Sequence, residues 1–163
     1  MLDLAPQSCI DAPGSPLCAA DVCRGVTRLL FRHDLLAMAE VPLDGGRRAD
    51  LMALDARGVI TIVEVKVSRA DLLGDGKWPD YLDHCDRFFW AVPAGFDLQP
   101  LHGAAFLPER TGVIVADRYD AEIVREARSA PLPAHVRKRN TLAFARRAAR
   151  RLIGQHDPDL NAL

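Results

Sequence analysis

Residues 60–68 read Ile60-Thr61-Ile62-Val63-Glu64-Val65-Lys66-Val67-Ser68. Side chains along a strand alternate between its two faces. One face of this stretch therefore carries Ile60, Ile62, Glu64 and Lys66, and the other Thr61, Val63, Val65 and Val67. Both faces begin apolar and β-branched residues dominate, the pattern of a central strand covered on both sides. A charge in such a place costs roughly several kcal/mol unless it is paired or binds a metal. Two readings follow. Glu64 and Lys66 lie near a strand end, reach solvent and pair loosely, or they belong to a site.

The turn before the strand bears on the choice. In Asp55-Ala56-Arg57-Gly58-Val59, the middle three residues fit a hairpin loop closed by a residue in the left-handed region, which glycine adopts without a Cβ penalty. That turn predicts that Leu54 faces Ile60, Met52 faces Ile62 and Asp50 faces Glu64. Two carboxylates would then stand opposite each other, with Cβ atoms about 4.5–5.5 Å apart. A proton on one of them relieves the repulsion, and so does a divalent cation between them. Mg²⁺ takes one or two carboxylates together with waters and phosphate oxygens. Lys66 lies one step further along the same face, about 6–7 Å from Glu64 by strand rise, within reach of a water or phosphate on the cation. Asp, Glu and Lys around one point suit metal-dependent phosphodiester hydrolysis: the metal lowers the pKa of a bound water, and the lysine orients the nucleophile or stabilises growing charge. Asp50, Glu64 and Lys66 are the candidate catalytic residues, Asp50 and Glu64 the candidate metal ligands, and Mg²⁺ or Mn²⁺ the candidate cofactor.

Outward from this centre the chain reads as one α/β domain. Its 163 residues are 49% hydrophobic and 26% charged, with a net charge of -1, so any nucleic-acid surface is local rather than global. An irregular leader, rich in proline, spans 1–19, and a single domain spans 20–163. A helix is expected over 20–37, then strands over 38–43, 47–56 and 59–68. A loop with a short helical turn covers 68–81 and a helix 79–85. Strands follow at 87–93 and 112–118, an edge strand or short helix at 121–127, and an amphipathic helix at 136–153. That order predicts a mixed central sheet of about five strands flanked by helices. The four cysteines, Cys9, Cys18, Cys23 and Cys85, show no metal-ligand spacing and suggest no disulfide framework. The N-terminus lacks the pattern of a signal peptide and no segment has the length of a membrane span, so a cytoplasmic protein is expected. Gly74-Asp75-Gly76-Lys77-Trp78 is not a phosphate-binding loop, because Trp78 stands where Ser or Thr would hold Mg²⁺.

Asp50 followed, one hairpin later, by Glu64-Val65-Lys66 resembles the D…ExK signature of the PD-(D/E)XK nuclease superfamily, and the helix, three strands, helix, strand order resembles its restriction-endonuclease-like core. The stretches RRADLMALD (47–55), ITIVEVKVSRADLLGDGKWPDYLDHCDRFFWAVP (60–93) and the basic C-terminal helix resemble the MmcB family of bacterial DNA repair proteins. The resemblance implies a role in repairing or tolerating DNA damage. It implies that Asp50, Glu64 and the Val65 carbonyl bind the metal and that Lys66 assists the attacking water, with Glu40 a further candidate ligand. Ala49 stands where the superfamily often has proline. Lys77 and Tyr81 have the spacing of the QxxxY motif of the RecB-like branch, with Lys for Gln. That motif implies a phosphate contact for Lys77 and a sugar or base contact for Tyr81. Trp78 is either a further stacking residue or core. Asp71 and Asp75 either join the metal's outer shell or cap turns. The superfamily's habit implies a homodimer.

Residues 137–151 hold seven basic side chains and no acidic one. At about 100° per residue, Arg146, Arg147, Arg150 and Arg151 share one arc, and Leu142, Ala145, Ala149, Leu152 and Ile153 the opposite one. The expectation is an apolar face on the sheet and an arginine row for DNA phosphates, which suits a nucleoid-associated protein with no membrane partner. Three functions are open to the sequence. One is a metal-dependent DNA endonuclease in repair. Another is a catalytically inactive DNA-binding or scaffold protein on the same fold. The third is an interaction module in which Glu64 and Lys66 form a structural ion pair.

Overall fold

The computed structural model describes residues 16–162; nearly all of the expected leader lies outside them. Helix α1 spans Ala19–Arg32. The Asp21 carboxylate accepts from the Cys18 N–H (3.1 Å) at its start, and Val22, Val26, Leu29 and Leu30 form its buried stripe. The helix stops short of residue 37 because Asp34 turns left-handed, with φ 57°, which Asp tolerates better than most residues. The chain then enters β1 (Leu36–Pro42), β2 (Arg48–Leu54) and β3 (Ile60–Val65). The loop with a helical turn resolves into α2 (Arg69–Gly74) and a 3₁₀ segment, Trp78–His84. β4 (Arg87–Pro93), β5 (Gly112–Ala116) and β6 (Ala121–Arg125) follow, then α3 (Ala134–His156).

The β2–β3 turn forms as its residues dictate. Asp55 N–H donates to the Val59 carbonyl (3.2 Å) and Gly58 N–H to the Asp55 carbonyl (3.0 Å), with Gly58 at φ 77°. The Asp55 carboxylate also accepts from the Arg57 and Val59 N–H groups, each at 2.8 Å. The ladder has the expected register: Leu54 pairs with Ile60, Met52 with Ile62 and Leu51 with Val63.

The sheet has six strands in sequential order. β1, β2 and β3 form an antiparallel meander; β3, β4 and β5 run parallel; β6 returns antiparallel as an edge strand, one of the two forms its sequence allowed. The face beneath α1 holds Leu51, Ala53, Val63, Val65, Phe89, Ala91 and Ile114. Gly25 lets α1 come this close: a Cβ there would stand 2.2 Å from the Asp117 carbonyl oxygen. The opposite face is aromatic, with Phe88 and Trp90 packed against Trp78, Tyr81, Leu101 and Phe106. Cys23 and Cys85 are free thiols, whereas Cys18 is disulfide-bonded, against the sequence expectation. Among the described residues no helix is long and apolar enough to cross a membrane.

Near the start of β4, Asp86 ties the lower end of the sheet together. Its carboxylate accepts from the N–H groups of Ile60 (2.7 Å) and Leu132 (2.9 Å) and from both terminal nitrogens of Arg137 (2.7 and 2.6 Å). Asn140 Nδ2 donates to the His84 carbonyl (3.1 Å). These polar anchors set the rotation of α3 and correct the expected face. Asn140 is buried and Phe144 packs on the aromatic core. Leu142, Leu152 and Ile153 stay more than half exposed, and Ala145 and Ala149 are exposed too. The arginine row is divided: Arg151 donates to the Ala39 carbonyl (2.6 Å) and Arg147 is half-buried, while Arg146 and Arg150 are exposed.

Candidate active site

The β2–β3 ladder ends at Leu51 and Val63, and beyond it two carboxylates take over the backbone donors. The Asp50 N–H donates to Glu64 Oε1 (3.1 Å), and the Val65 N–H donates to Asp50 Oδ2 (2.8 Å). Each acid thus caps the other strand. The expected confrontation of Asp50 and Glu64 is present, and the ladder opens to make room for it. N–H and C=O of one extended residue point to the same side, so the Val65 carbonyl faces the same gap.

Glu40 lies on the same level. Ala39 pairs with Leu51 and Val41 with Ala49, which brackets Glu40 opposite Asp50. Its φ is 57°. Met38 and Val41 reach the same core, as do Ala49 and Met52, although strict alternation would send each pair to opposite faces. The slip in both strands, one residue deep, sits at Glu40 and Asp50. The Glu40 carboxylate is half exposed and paired with Arg48 (2.5 Å).

Burial sets the electrostatics. Glu64 is 3% exposed and stands beside Trp90 in the parallel β3–β4 register. Burial first, and then the charge of Asp50, push its pKa up to about 8. Burial also raises that of Asp50, against the Val65 hydrogen bond and the Lys66 charge, which lower it. At neutral pH the pair therefore holds a proton. The negative field reaches the other side of the sheet: the Cys23 thiol, on α1, is pushed up to about 12 by burial and by Asp50, Glu40 and Glu64, and so stays protonated.

Lys66 extends β3 by donating its N–H to the Ala91 carbonyl (2.9 Å). Its ammonium does not form the loose pair with Glu64 that the sequence left open. It lies 2.8 Å from Asp75 Oδ2 and 3.7 Å from Asp71 Oδ1. These pairs outweigh burial and keep its pKa above the usual lysine value. Asp71 and Asp75 thus hold the lysine, a role sequence reasoning missed, although their nearness to Lys66 in the chain was visible.

Lys77 is exposed, and its N–H donates to Asp75 Oδ1 (3.2 Å). Tyr81 corrects the expectation of a ring open to DNA: it is 8% exposed, stacks on Phe88 and donates its hydroxyl to the Arg48 carbonyl (3.1 Å). Trp78 is also core. The Tyr81 hydroxyl thus anchors the start of β2, and the Trp78 ring packs on Phe88 and Trp90 of β4.

No group of three or more His, Cys, Asp and Glu side chains assembles as a metal cage among the described residues. The set at hand is two carboxylates and one carbonyl. It fits a hard divalent cation that keeps waters, and it does not fit a zinc-type cage of nitrogen and sulfur ligands.

A family model described as "DNA repair protein MmcB-like" matches residues 7–159. A solved structure of a protein of unknown function from Silicibacter pomeroyi superimposes with a TM-score of 0.77 at 41% identity, covering 89% of this chain and 94% of that one. No curated protein matches.

Proposed function

The chain belongs to the MmcB-like family of DNA repair proteins, and from that premise we propose that it is a metal-dependent endonuclease of the PD-(D/E)XK type acting on damaged or branched DNA. One observation carries the reading: at the open end of a hairpin, the buried Glu64 and the half-buried Asp50 face each other, each carboxylate accepting from a backbone N–H of the other strand, with an ammonium held close by.

Asp50, Glu64 and the Val65 carbonyl would hold Mg²⁺ or Mn²⁺, and Glu40 would join them on leaving Arg48. Bound there, such an ion supplies an acidified water and neutralises phosphate charge. The chain's own part is positional. Glu64 gives up its proton to admit the cation, so metal affinity rises with pH. Trp90 and the aromatic face keep bulk water from the buried side, which strengthens charge interactions in the gap. Lys66, fixed by Asp75, presents a permanent cation to the phosphate oxygens, where a positioned charge stabilises the transition state. Backbone contact falls to the cations that border the site: Arg48 and Lys77, both exposed, and Arg151, whose guanidinium reaches the residue before Glu40.

The test is Mg²⁺ and Mn²⁺ titration of the wild type and of Asp50→Asn by calorimetry, with and without DNA, followed by incubation with branched, nicked and single-stranded DNA. Metal binding and cleavage in the wild type, both lost in the variant, support the reading; cleavage unchanged in the variant sinks it. DNA binding without cleavage on the same scaffold is favoured by one feature, the engagement of both Glu40 and Lys66 in ion pairs. It predicts DNA affinity that is indifferent to Mg²⁺ in the same assay.

A further inference from the structure

Beneath the last turn of α1, at the end of β3 away from Glu64, a cavity of about 70 Å³ lies between Leu29 and Leu30 of the helix and Phe89 and Ile114 of the sheet. Two polar side chains stand in its wall. Thr61 and Arg87 pair across the parallel β3–β4 ladder, so they are neighbours on strands about 4.8 Å apart. Thr61 is 1% exposed. Its Oγ1 and the Nε of Arg87 are both buried, and neither makes a hydrogen bond within the protein. Arg87 makes no ion pair among the described residues. The cavity reaches the surface beside His33 and Glu126, both exposed, and Glu126 lines it without pairing to Arg87.

Buried polar groups are nearly always partnered, and two side by side without a protein partner point to a ligand. We propose that the cavity binds a short-chain carboxylate, its oxygens on Arg87 and Thr61 and its alkyl group among Leu29, Leu30 and Ile114. Net charge does not select this ligand, since Arg87 and Glu126 cancel. The inner donors select it. An arginine Nε–H only donates, and the hydroxyl beside it can donate too, so the inner end of the ligand is an acceptor and not an ammonium. A guanidinium drawn from water is costly without a counter-charge, and a carboxylate matches its geometry. The apolar walls disfavour phosphate or sulfate, whose outer oxygens they would leave unpaired. They disfavour water in the same way: the space holds about two waters, each needing about 2–4 polar partners. Glu126 opposes the anion only weakly, because it stands in solvent and is screened. The inference is independent of the endonuclease reading, since none of the lining residues belongs to the acid site.

The probe is sodium propionate, titrated into the full chain while the backbone amide shifts of Leu30 and Phe89 are followed by NMR, with propionamide as the uncharged control. Saturable shifts are expected at millimolar propionate, weakened about tenfold in Thr61→Val and in Arg87→Met, and weaker for propionamide. Glu126→Gln is expected to bind propionate as tightly as the wild type or more so. Thr61→Val removes a hydroxyl that has no protein partner, so the fold is kept, and thermal melts check this for every variant. Shifts that never saturate overturn the proposal, as does Thr61→Val binding like the wild type. Equal affinity for propionamide also overturns it, because the guanidinium would then select nothing. Weaker binding in Glu126→Gln makes Glu126 a contact and overturns the assigned orientation. A higher melting temperature in Thr61→Val, with no propionate bound by the wild type, assigns the hydroxyl to trapped water only.

Discussion

Asp86 and Glu64 are both buried carboxylates, 1% and 3% exposed, at opposite ends of the β3–β4 pair, and they behave in opposite ways. Asp86 has a complete set of partners, two backbone N–H groups and a two-pronged arginine. Its pKa falls below the ordinary carboxylate value, because the Arg137 hydrogen bonds and the two N–H groups together outweigh its burial, the largest single influence. Glu64 has one backbone donor and faces another acid, so its pKa rises to about 8. Burial alone thus says nothing about role. A satisfied buried acid holds the fold, while an unsatisfied one is held ready for a proton or a cation.

The sharpest way to break this contrast is to neutralise each acid. Glu64→Gln and Asp50→Asn are expected to drop cleavage and Mg²⁺ binding to background with no loss of stability in urea unfolding; an active Glu64→Gln enzyme would place the site elsewhere. Asp86→Ala is expected to cost about 3–5 kcal/mol in the same unfolding experiment, since it strands Arg137 and two buried N–H groups. A cost under about 1 kcal/mol would mean that the lower end is held by packing instead.

Acid and alkaline titrations separate the two carboxylates further. Glu64 binds its proton more tightly folded than unfolded, so its contribution is full below about pH 4.5 and is lost as pH rises through about 8. Asp86 is the reverse: its contribution is present above about pH 3.9 and is lost as pH falls through its depressed folded value. Metal-free thermal melts should therefore decline at both extremes. Glu64→Gln should flatten the alkaline limb alone, and added Mg²⁺ should restore it in the wild type; an unchanged alkaline limb in Glu64→Gln would mean that Glu64 is ordinary. The smallest effect belongs to Arg47→Ala. It removes an exposed pair with Asp80 (2.8 Å) and should shift stability by less than about 1 kcal/mol, a baseline for charge pairs without burial.

The centre of the molecule was legible because alternation has a short period and Gly58 fixes one turn. Together they placed Ile60 and Ile62 on one core, Val63 and Val65 on the other, and Asp50 beside Glu64. Glu40's alignment was less legible, since nothing local announces the left-handed backbone that shifts β1. Lys66's true partner was hidden because a strand pattern does not show how the next loop folds back, here to bring Asp75 over it. Tyr81 was given a sugar or base contact by the spacing of its motif alone, which does not show where a ring points, and the 3₁₀ turn drives it inward. The face of α3 was misjudged for a physical reason. Its apolar arc is rich in alanine and weakly hydrophobic, and the polar contacts of Arg137 and Asn140 overrode it.

The two hairpin turns have a consequence for how this protein can vary. Glu40, Asp50 and Glu64 come from one unbroken meander, so their alignment is a matter of loop length. One residue inserted in 56–58 would slip β3 and swing Glu64 to the α1 side, with every chemical group retained. The segment between β4 and β5, by contrast, crosses the far side of the sheet and sets no register among the three acids. Relatives should therefore differ freely in length over 94–111 and hardly at all between Glu40 and Lys66, a constraint written in spacing before it is written in side chains.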